Sequence, residues 1–585
     1  MAVYRFGPFR LDPVRRLLTK IDEPVPLPSK AFDLLLVLVQ HSGAALHKAE
    51  LLRRVWPDAR VEEGNLSQTV FVLRKALGER PNEHRYVVTI PGFGYRFVTP
   101  VTWDRGSGLE DLRTRKDPRA IGAAVALLSL AVLPFTTLGL GAGEEYIGLG
   151  ITDALITKLG SVRGVTVRPT TAVLRYQERP PDPLAAASEL NVDVVLNGTI
   201  QRSAGRIRVA VHVIRVDDGA MLWAGHFDEK LTDLFAVEDS IADQVARALT
   251  LTLTEEERQR LARRNTQNTD AYHAFLKGRF FWNKRTEDGL RKGITQFEEA
   301  IAHDPDFALA YAGIADCYNL LCGYGALPPR EGYPRARQAA ERALELDERL
   351  AEAHTSLAYA TLHFYWDWAA AEREFLRALS LNPNYPTAHQ WYGSYLAALG
   401  RFQEAIAEID HALNLDPLSL MINADRGWLL FFARQHDRAI EQLRKTIEMD
   451  PNFPLAHWLL GINKEQTGGI EDAISELRKA ASLSEAIPFA LASLGHALAR
   501  SGKQEDARAV LEQLSELSAR RYVSPYSMAT VHVGLGQVNQ AIEWLDRAAD
   551  ERSNWMIFLN VDPIFDPIRT EPGCRRIAQR IGLAV

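Results

Sequence analysis

The chain contains 585 residues, of which 46% are apolar and 24% charged, and its net charge is -6. This length predicts several domains, and the composition excludes a disordered or collagen-like chain. The first 100 residues hold 15 Lys and Arg against 10 Asp and Glu, a charge of +5 that leaves -11 for the remainder. The asymmetry permits a nucleic-acid contact near the N-terminus and argues against one along the whole chain.

The first hundred residues predict short strands, three helices and a hairpin. We place the helices in PSKAFDLLLVLVQHSG, HKAELLRRVWP and NLSQTVFVLRKALG, the third with Asn65 as its N-cap. The stretch HRYVVTIPGFGYRFVTPV then alternates as a β-hairpin whose turn contains Gly92 and Gly94. This order of elements predicts an α+β winged helix-turn-helix domain over residues 1–102.

Three features of this region resemble the OmpR/PhoB-type winged-helix family from about Tyr4 to Val98. They are LRKALGE, the acidic pair Glu62 and Glu63, and the closing PGFGYRF. The resemblance implies that the third helix enters the major groove of double-stranded DNA and that the hairpin, the wing, contacts the minor groove or phosphates. Several members carry Arg on the outward face and where Pro91 stands here, so we expect weaker or more shape-dependent base readout.

Helical geometry divides the third helix into two faces. At 100° per residue, Leu66, Val70, Leu73 and Leu77 fall on one side and are predicted to point inward. The candidate DNA contacts are the residues around the opposite side and two residues of the wing: Ser67, Gln68, Phe71, Val72, Arg74, Lys75, Tyr95 and Arg96. Phe71 and Val72 either pack on thymine methyl groups or on a neighbouring domain, and Tyr95 is either a wing contact or core. The modest charge favours dimeric or tandem binding to a repeated site.

Residues 129–255 predict an α/β domain, reached through a linker over 103–128. A strand, helices, three long strands in VDVVLNGTIQRS, RIRVAVHVIRVDD and AMLWAGHFD, and a closing amphipathic helix follow in turn. The phrases SLAVLPF, NVDVVLNGTIQRSAGRIRVAVHVI and LWAGHFDEKLTDLFAVEDSIA resemble the TolB-like N-terminal domain, which implies a binding or scaffolding module that connects its neighbours and is open to a ligand.

No catalytic, cofactor or metal motif stands out in the sequence. GLGAGEEYIGLG lacks the third glycine of a dinucleotide loop, and GxSxG, HExxH and DxDxDG are absent. Cys317, Cys322 and Cys574 have no zinc spacing and are predicted to be buried thiols. We therefore expect neither an enzyme nor a bound cofactor.

The region 268–552 repeats with a period of 34 residues. Phrases such as ALSLNP, ALNLDP and TIEMDP recur with their Asn or Asp at 382, 416 and 450. Small residues occupy two fixed offsets in seven successive units: Ala315, Ala358, Gly393, Gly427, Gly461, Gly495 and Ala529, then Ala336, Ala370, Ala405, Ala439, Ala473, Ala507 and Ala541. This is the tetratricopeptide (TPR) pattern, and it predicts an all-α superhelical solenoid of about eight repeats with a capping segment at 553–585.

Stacked TPR helix pairs form a concave groove that binds peptides or helices of other proteins. Tyr311, Trp391, Trp428 and Trp458 are candidate anchors in this groove, and the alternative is that they form the core of the repeats. No particular partner follows from the sequence.

The uncharged stretch Ala120 to Gly143 raises the question of a membrane anchor. Pro134 divides it into two pieces, neither long enough to span, and SLAVLPF is needed as the first strand of the α/β domain. We therefore predict a buried strand at Ser129 to Phe135 and a cytoplasmic chain, with a single-pass inner-membrane anchor at 120–143 as the alternative.

The combination of domains favours a transcriptional regulator. The winged helix begins at residue 4, so we expect no receiver domain and a one-component organisation of the CadC- and HilA-like kind. In this hypothesis the winged helix binds promoter DNA and the TPR array receives a protein or peptide. The alternative is a TPR interaction scaffold whose winged helix no longer reads sequence.

Overall fold

In the computed structural model, the described residues of the N-terminal part of the chain form two sheets and three helices. The structure describes residues 3–6, 9–12, 17–20, 23–25, 27–40, 45–55, 63–77, 79, 86–90, 94–99, 102–104, 128–138, 146–160, 162, 165–177, 182–203, 206–230, 234–249, 266–483 and 488–584. The chain divides into two units, residues 1–123 and 124–585.

The first unit begins with an antiparallel five-stranded sheet in the order β4-β3-β2-β1-β8. Its strands are β1 Val3–Phe6, β2 Phe9–Asp12, β3 Leu17–Lys20, β4 Glu23–Val25 and β8 Thr102–Asp104. A three-stranded sheet in the order β5-β7-β6 consists of β5 Ala45–His47, β6 Val87–Ile90 and β7 Gly94–Phe97. The helices are α1 Ser29–Gln40, α2 Lys48–Val55 and α3 Glu63–Ala76.

The hydrophobic face of α3 lies in the core of this unit. Leu66, Val70, Leu73 and Leu77 are each at most 3% exposed, which confirms the predicted inward face. Burial of such aliphatic side chains contributes roughly 1.5–3 kcal/mol each. The predicted N-cap at Asn65 is wrong, because α3 begins two residues earlier at Glu63. The hairpin is confirmed, with Ile90 opposite Gly94 in an antiparallel register.

The second unit opens with a six-stranded mixed sheet. Strand order is β11-β9-β12-β13-β14, and β10 pairs with β12. The strands are β9 Leu128–Val132, β10 Thr136–Leu138, β11 Val165–Val167, β12 Val194–Ser203, β13 Arg206–Arg215 and β14 Met221–Lys230. The three long strands were predicted and are confirmed, whereas β10 was not predicted. The glycine-rich run after it, residues 139–145, lies outside the described residues.

Among the described residues of this domain, four helices accompany the sheet: α4 Tyr146–Gly160, α5 Thr170–Val173, α6 Pro183–Glu189 and α7 Leu234–Ala248. A 3-10 turn follows α5 at Leu174–Tyr176. The predicted strand at Ser129 to Phe135 is confirmed over most of its length, since β9 is buried between β11 and β12. Residues 120–127 of the candidate anchor lie outside the described part of the chain. Within that part, no helix combines the length and the hydropathy that a membrane crossing requires.

Helix pairs continue from residue 269 to residue 550, in the pattern predicted for TPR units. In chain order the helices are α8 Thr269–Asn283, α9 Glu287–His303, α10 Ala308–Gly323, α11 Pro329–Leu346, α12 Ala351–Ala360, α13 Trp368–Leu381, α14 Pro386–Ala398, α15 Phe402–Leu415, α16 Leu420–Phe432, α17 His436–Met449, α18 Pro454–Gln466, α19 Ile470–Leu483, α20 Pro488–Arg500, α21 Gln504–Ser518, α22 Pro525–Gly534 and α23 Val538–Asp550. The final segment forms 3-10 turns at Asn554–Phe558 and Pro563–Ile568, and a helix, α24 Pro572–Arg580.

Small residues allow the paired helices to approach closely. A Cβ added at Gly427 would lie 2.6 Å from the Cγ of Leu443, and one at Gly461 would lie 2.6 Å from the Cγ of Leu477. One position of the predicted set needs correction. The buried residue of α13 is Ala371, with no exposed surface, whereas Ala370 is half-buried.

A local π-helix explains this shift by one residue. The segment Thr361–Tyr365 has π-helical geometry after α12, and a π turn adds one residue to a helix. Trp366 ends the π turn in a left-handed backbone conformation, and it stands eight positions after Ala358. The equivalent left-handed residue of the next repeat is Gly400, which stands seven positions after Gly393. The buried small residue of α13 is therefore displaced by one position, because the backbone before it contains one extra residue. The three cysteines are buried free thiols, as predicted.

Candidate nucleic-acid interface and repeat cavity

Helix α3 presents two different faces in the first unit. Leu66, Val70 and Leu73 anchor one face in the core. Positions 67, 68, 71 and 75 fall around the other side by the helical step, and their side chains lie outside the described part of the structure. Val72 is half-buried.

Arg74 is held against the wing. Its guanidinium donates to the backbone oxygen of Val87 from Nη2 at 2.8 Å and from Nε at 3.2 Å, and Nη2 also donates to Thr89 Oγ1 at 2.9 Å. Glu79, whose side chain is 1% exposed, lies 3.5 Å from Nε. Arg74 was predicted as a DNA contact. In the structure these bonds connect helix α3 to strand β6.

The wing residues divide between core and surface. Tyr95 is 5% exposed and packs in the core of the unit, which is the second of its two predicted alternatives, whereas Arg96 on the same strand is exposed. Gly94 has no room for a side chain, because a Cβ there would lie 2.0 Å from the oxygen of Leu46. Glycine at this position therefore sets the close approach of β7 to β5. Gly92 lies outside the described residues.

In the second unit, buried polar contacts connect the α/β domain to the first TPR helix. Arg279 of α8 donates from Nε to Asp153 Oδ2 of α4 at 3.1 Å. The Asp153 charge and hydrogen bond outweigh the effect of burial and raise the pKa of Arg279. The hydroxyl of Tyr272 donates to Glu238 of α7 at 2.8 Å. Burial raises the pKa of Glu238 to about 8, so this carboxyl is largely protonated at neutral pH.

A second set of contacts reaches repeats further along the array. Arg168, only 5% exposed, donates to the oxygen of Leu190 at 2.9 Å within the α/β domain and to the oxygen of Leu415 at 3.1 Å. It also donates to the oxygen of Asn414. Leu415 ends helix α15, where carbonyl groups lack helical partners. The guanidinium satisfies these carbonyls and thereby connects the α/β domain to the fourth repeat.

A cavity of about 1580 Å³ lies between the α/β domain and the array. Its lining includes Thr170 and Glu238 of the α/β domain and residues of the repeats as far as Phe489 and Trp555. Three of the four predicted groove aromatics, Trp391, Trp428 and Trp458, line it, and Tyr311 does not.

The predicted aromatics belong to both core and cavity. Trp391 and Trp458 are 7% and 5% exposed, while Trp428 is half-buried. The ring of Trp428 packs in a cluster with Trp555 and Phe558, at centroid distances of 5.5 and 4.7 Å. These side chains therefore build the repeat core and also form the aromatic wall of the cavity.

Buried carboxyl groups are the polar feature of this wall that sequence reasoning missed. Asp425 accepts a hydrogen bond from Nε2 of Gln390 at 2.6 Å, and burial raises its pKa to about 6. Burial likewise raises the pKa of Asp316 and of Asp416 to about 6. The available signal was an Asp three positions before Trp428 in the first helix of a repeat, where both fall on one helical face.

The described side chains do not form a metal-binding cluster. Across the described ranges, no cluster of three or more His, Cys, Asp or Glu has the arrangement that could hold a metal ion. The Cys317 thiol is fully buried, and burial raises its pKa well above the ordinary value, which disfavours a reactive thiolate.

Three family models match parts of the chain. They are the transcriptional regulatory protein C-terminal domain at residues 22–97, the HilA/YgeH-like transcriptional regulator second domain at 126–244, and the tetratricopeptide repeat at 367–419 and 424–490. The chain thus contains an OmpR/PhoB-type domain, a HilA/YgeH-like regulator domain and TPR repeats. The matching model of the middle domain is the HilA/YgeH-like one, and the resemblance to TolB stays a prediction.

Curated relatives agree with this assignment. The transcriptional regulator HilA of Salmonella typhimurium is 23% identical over 435 residues, which cover 72% of each chain. The transcriptional activator CadC of Escherichia coli is 30% identical over 102 residues, 17% of this chain and 20% of CadC. Putative adenylate cyclase 3 of Rhizobium meliloti is 30% identical over 237 residues, which cover 40% of each chain. The chain is homologous to HilA and CadC, and its family matches indicate a regulator rather than an enzyme.

Proposed function

We propose that this chain is a non-enzymatic transcriptional regulator that binds promoter DNA sequence-specifically through α3 and the wing. The observation that carries the proposal is the packing of α3. Its apolar face is buried, so the opposite positions, including Gln68 and Lys75, are left for a major groove. Exposed Arg96 on β7 suits a phosphate or the adjacent minor groove.

The TPR array is proposed to receive a partner and to pass the signal through the α/β domain. The support is the set of buried contacts from Asp153, Arg168 and Glu238 to the repeats. A change in the array would act directly on this domain. The resemblance to a TolB-like module is consistent with such a connecting role. Two copies on a direct repeat with half-sites about one helical turn apart would supply the affinity that a charge of +5 does not.

DNase footprinting with the full chain tests the DNA-binding proposal. Genomic fragments selected by the protein should show protection that weakens with salt, because phosphate contacts release counterions. Gln68→Ala should relax the preference at one base pair at a cost of about 1–3 kcal/mol, and Lys75→Ala should reduce the salt slope by about one. Arg10→Ala, an exposed cation on the five-stranded sheet, is the matched control and should change neither.

The hydrogen bonds of Arg74 to the wing favour a second candidate function, a TPR interaction scaffold whose winged helix does not recognise a DNA sequence. The bonds of Arg74 to Val87 and Thr89 occupy a cation that would otherwise be available for DNA. In that case the footprint would be absent or equal on all sequences, and Gln68→Ala would leave the partners captured by the array unchanged.

A further inference from the structure

We infer that the cavity between the α/β domain and the TPR array is a binding site for a small organic cation, an ammonium group on an aromatic stem, with Asp425 as the anionic partner. This inference deepens the proposed receptor role of the array and rests on it. DNA binding is measured separately, so either proposal can fail alone.

The first step concerns the charge of Asp425. Its side chain lies in the lining of the cavity, and the residue is 9% exposed. Its described hydrogen-bond donor is the neutral amide of Gln390. Among the ion pairs of the described residues, none involves Asp425, whereas the buried Asp153 is paired with Arg279. A buried carboxylate without a cation is costly, and a ligand that brings a positive charge removes that cost.

The second step concerns the walls around this carboxylate. Asp425 lines the cavity together with the two phenols Tyr324 and Tyr359. Tyr359 packs on Trp391 at a centroid distance of 4.3 Å, and Trp428 follows Asp425 by one helical turn. All four rings line the cavity. Aromatic faces attract cations, and they pack on aromatic stems.

The third step is an unsatisfied group elsewhere in the same cavity. Asn283 lines it, is 5% exposed, and has a hydrogen-bond partner for neither of its amide atoms. Buried side-chain amides are normally hydrogen-bonded. Asn283 therefore leaves two buried polar atoms unsatisfied in the wall of this cavity.

The surroundings favour a small ligand over an extended peptide. The contacts of Arg168 with Leu415 and of Arg279 with Asp153 hold the α/β domain against the array, and residues of both line the cavity. A peptide lying along the array would have to displace it. The volume of about 1580 Å³ exceeds the roughly 300–1,000 Å³ of drug-sized sites, so space does not exclude an aromatic amine.

Isothermal titration of the full chain with three probes tests the inference. The probes are phenethylammonium, neutral 2-phenylethanol and anionic 3-phenylpropionate, each raised to millimolar concentration. The quenching of tryptophan fluorescence serves as a second signal, because Trp391, Trp428 and Trp458 line the cavity. We expect the ammonium probe to bind and the other two to bind at least about tenfold more weakly.

Two variants locate the site. Asp425→Asn keeps the shape of the side chain and should weaken binding of phenethylammonium at least about tenfold while leaving the weak binding of 2-phenylethanol unchanged, which shows that the cavity is intact. Asp472→Asn removes the same charge from a side chain that is 77% exposed and outside the cavity, and it should have no effect.

Other outcomes overturn the inference. Equal binding of the three probes, unchanged affinity in Asp425→Asn, or no binding of phenethylammonium each contradicts it. Binding of the peptide acetyl-Phe-Lys-Phe-amide in place of phenethylammonium would show that the carboxylate serves a basic peptide and not a small amine. None of these results bears on the footprint.

Discussion

Arg279 and Asp153 form a buried ion pair between the first TPR helix and the α/β domain, with side chains 20% and 8% exposed. Asp153 also accepts a hydrogen bond from Thr170, so its carboxylate has partners from two elements, α5 and α8. Such a pair need not stabilise a protein more than an apolar contact would, but the loss of one partner leaves a buried charge behind.

We predict that Arg279→Met lowers the free energy of unfolding by about 3–5 kcal/mol, because Asp153 then remains buried without its cation. Urea unfolding followed by circular dichroism measures the change. The matched control is Lys292→Met at the exposed pair with Asp288, whose side chains are 56% and 74% exposed. It should cost at most about 1 kcal/mol. Equal losses in the two variants would show that the buried pair has no special role.

The contact of Tyr272 with Glu238 predicts a pH dependence of stability. A Glu side chain ordinarily titrates at 4.5, and burial raises the pKa of Glu238 to about 8 in the folded chain. Between these values the folded chain retains a proton that the unfolded chain has released. The stabilisation is therefore complete below about pH 4.5 and is lost as the pH rises towards 8.

Glu238→Gln should remove this contribution. The free energy of unfolding of the parent chain should fall relative to that of the variant by up to about 1.4 kcal/mol per pH unit across this window. Urea titrations at a series of pH values measure the difference. Glu512→Gln, on an exposed side chain, should run parallel to the parent. If the free energy of unfolding had the same pH dependence in Glu238→Gln as in the parent chain, Glu238 would be ionised in the folded chain.

A side chain added to a glycine at a contact between two helices of the array should destabilise the chain through steric overlap. In Gly427→Ala the new Cβ would lie 2.6 Å from Cγ of Leu443, a side chain with no exposed surface and hence little freedom to move. We expect a loss of about 1–3 kcal/mol in the free energy of unfolding. Gly160→Ala is the control, because no atom lies within 4 Å of its Cβ, and it should change stability by less than about 0.5 kcal/mol. A neutral Gly427→Ala would show that α16 and α17 can separate without cost.

Periodicity predicted the fold because it reports local geometry. The 34-residue repeat with Gly427 and Gly461 at fixed offsets, and the apolar face of α3 with Leu66 and Leu73, depend only on helical spacing and close approach. The exception at Ala370 arose from the π-helix at Thr361–Tyr365, and an inserted backbone residue has no signature in a pattern of small side chains.

The sites were harder to predict because they depend on contacts between distant segments. Asp425 has no motif around it, and its hydrogen-bond donor Gln390 lies 35 residues away in the preceding repeat. Arg74 is separated by 13 residues from Val87, whose oxygen it binds, so its sequence position on the outward side of α3 indicated DNA rather than the wing. Tyr95 fits the wing motif equally well as a contact or as core, and only packing distinguishes the two.

Substitutions at Arg74 and at Lys75 should affect stability and DNA binding separately. Arg74→Met removes the hydrogen bonds to Val87 and Thr89 and leaves the buried carboxylate of Glu79 without its cation. We expect the first unit to lose about 1–3 kcal/mol of stability, because a hydrogen-bonded group is left unpaired. Under conditions where the variant is folded, the dependence of its DNA affinity on salt should equal that of the parent, since the guanidinium of Arg74 is bound to the wing. Lys75→Ala should show the reverse, with unchanged stability and a salt slope smaller by about one. Thermal unfolding and fluorescence anisotropy on a footprinted fragment measure the two effects, and a reduced salt slope in Arg74→Met would assign its guanidinium to DNA instead of the wing.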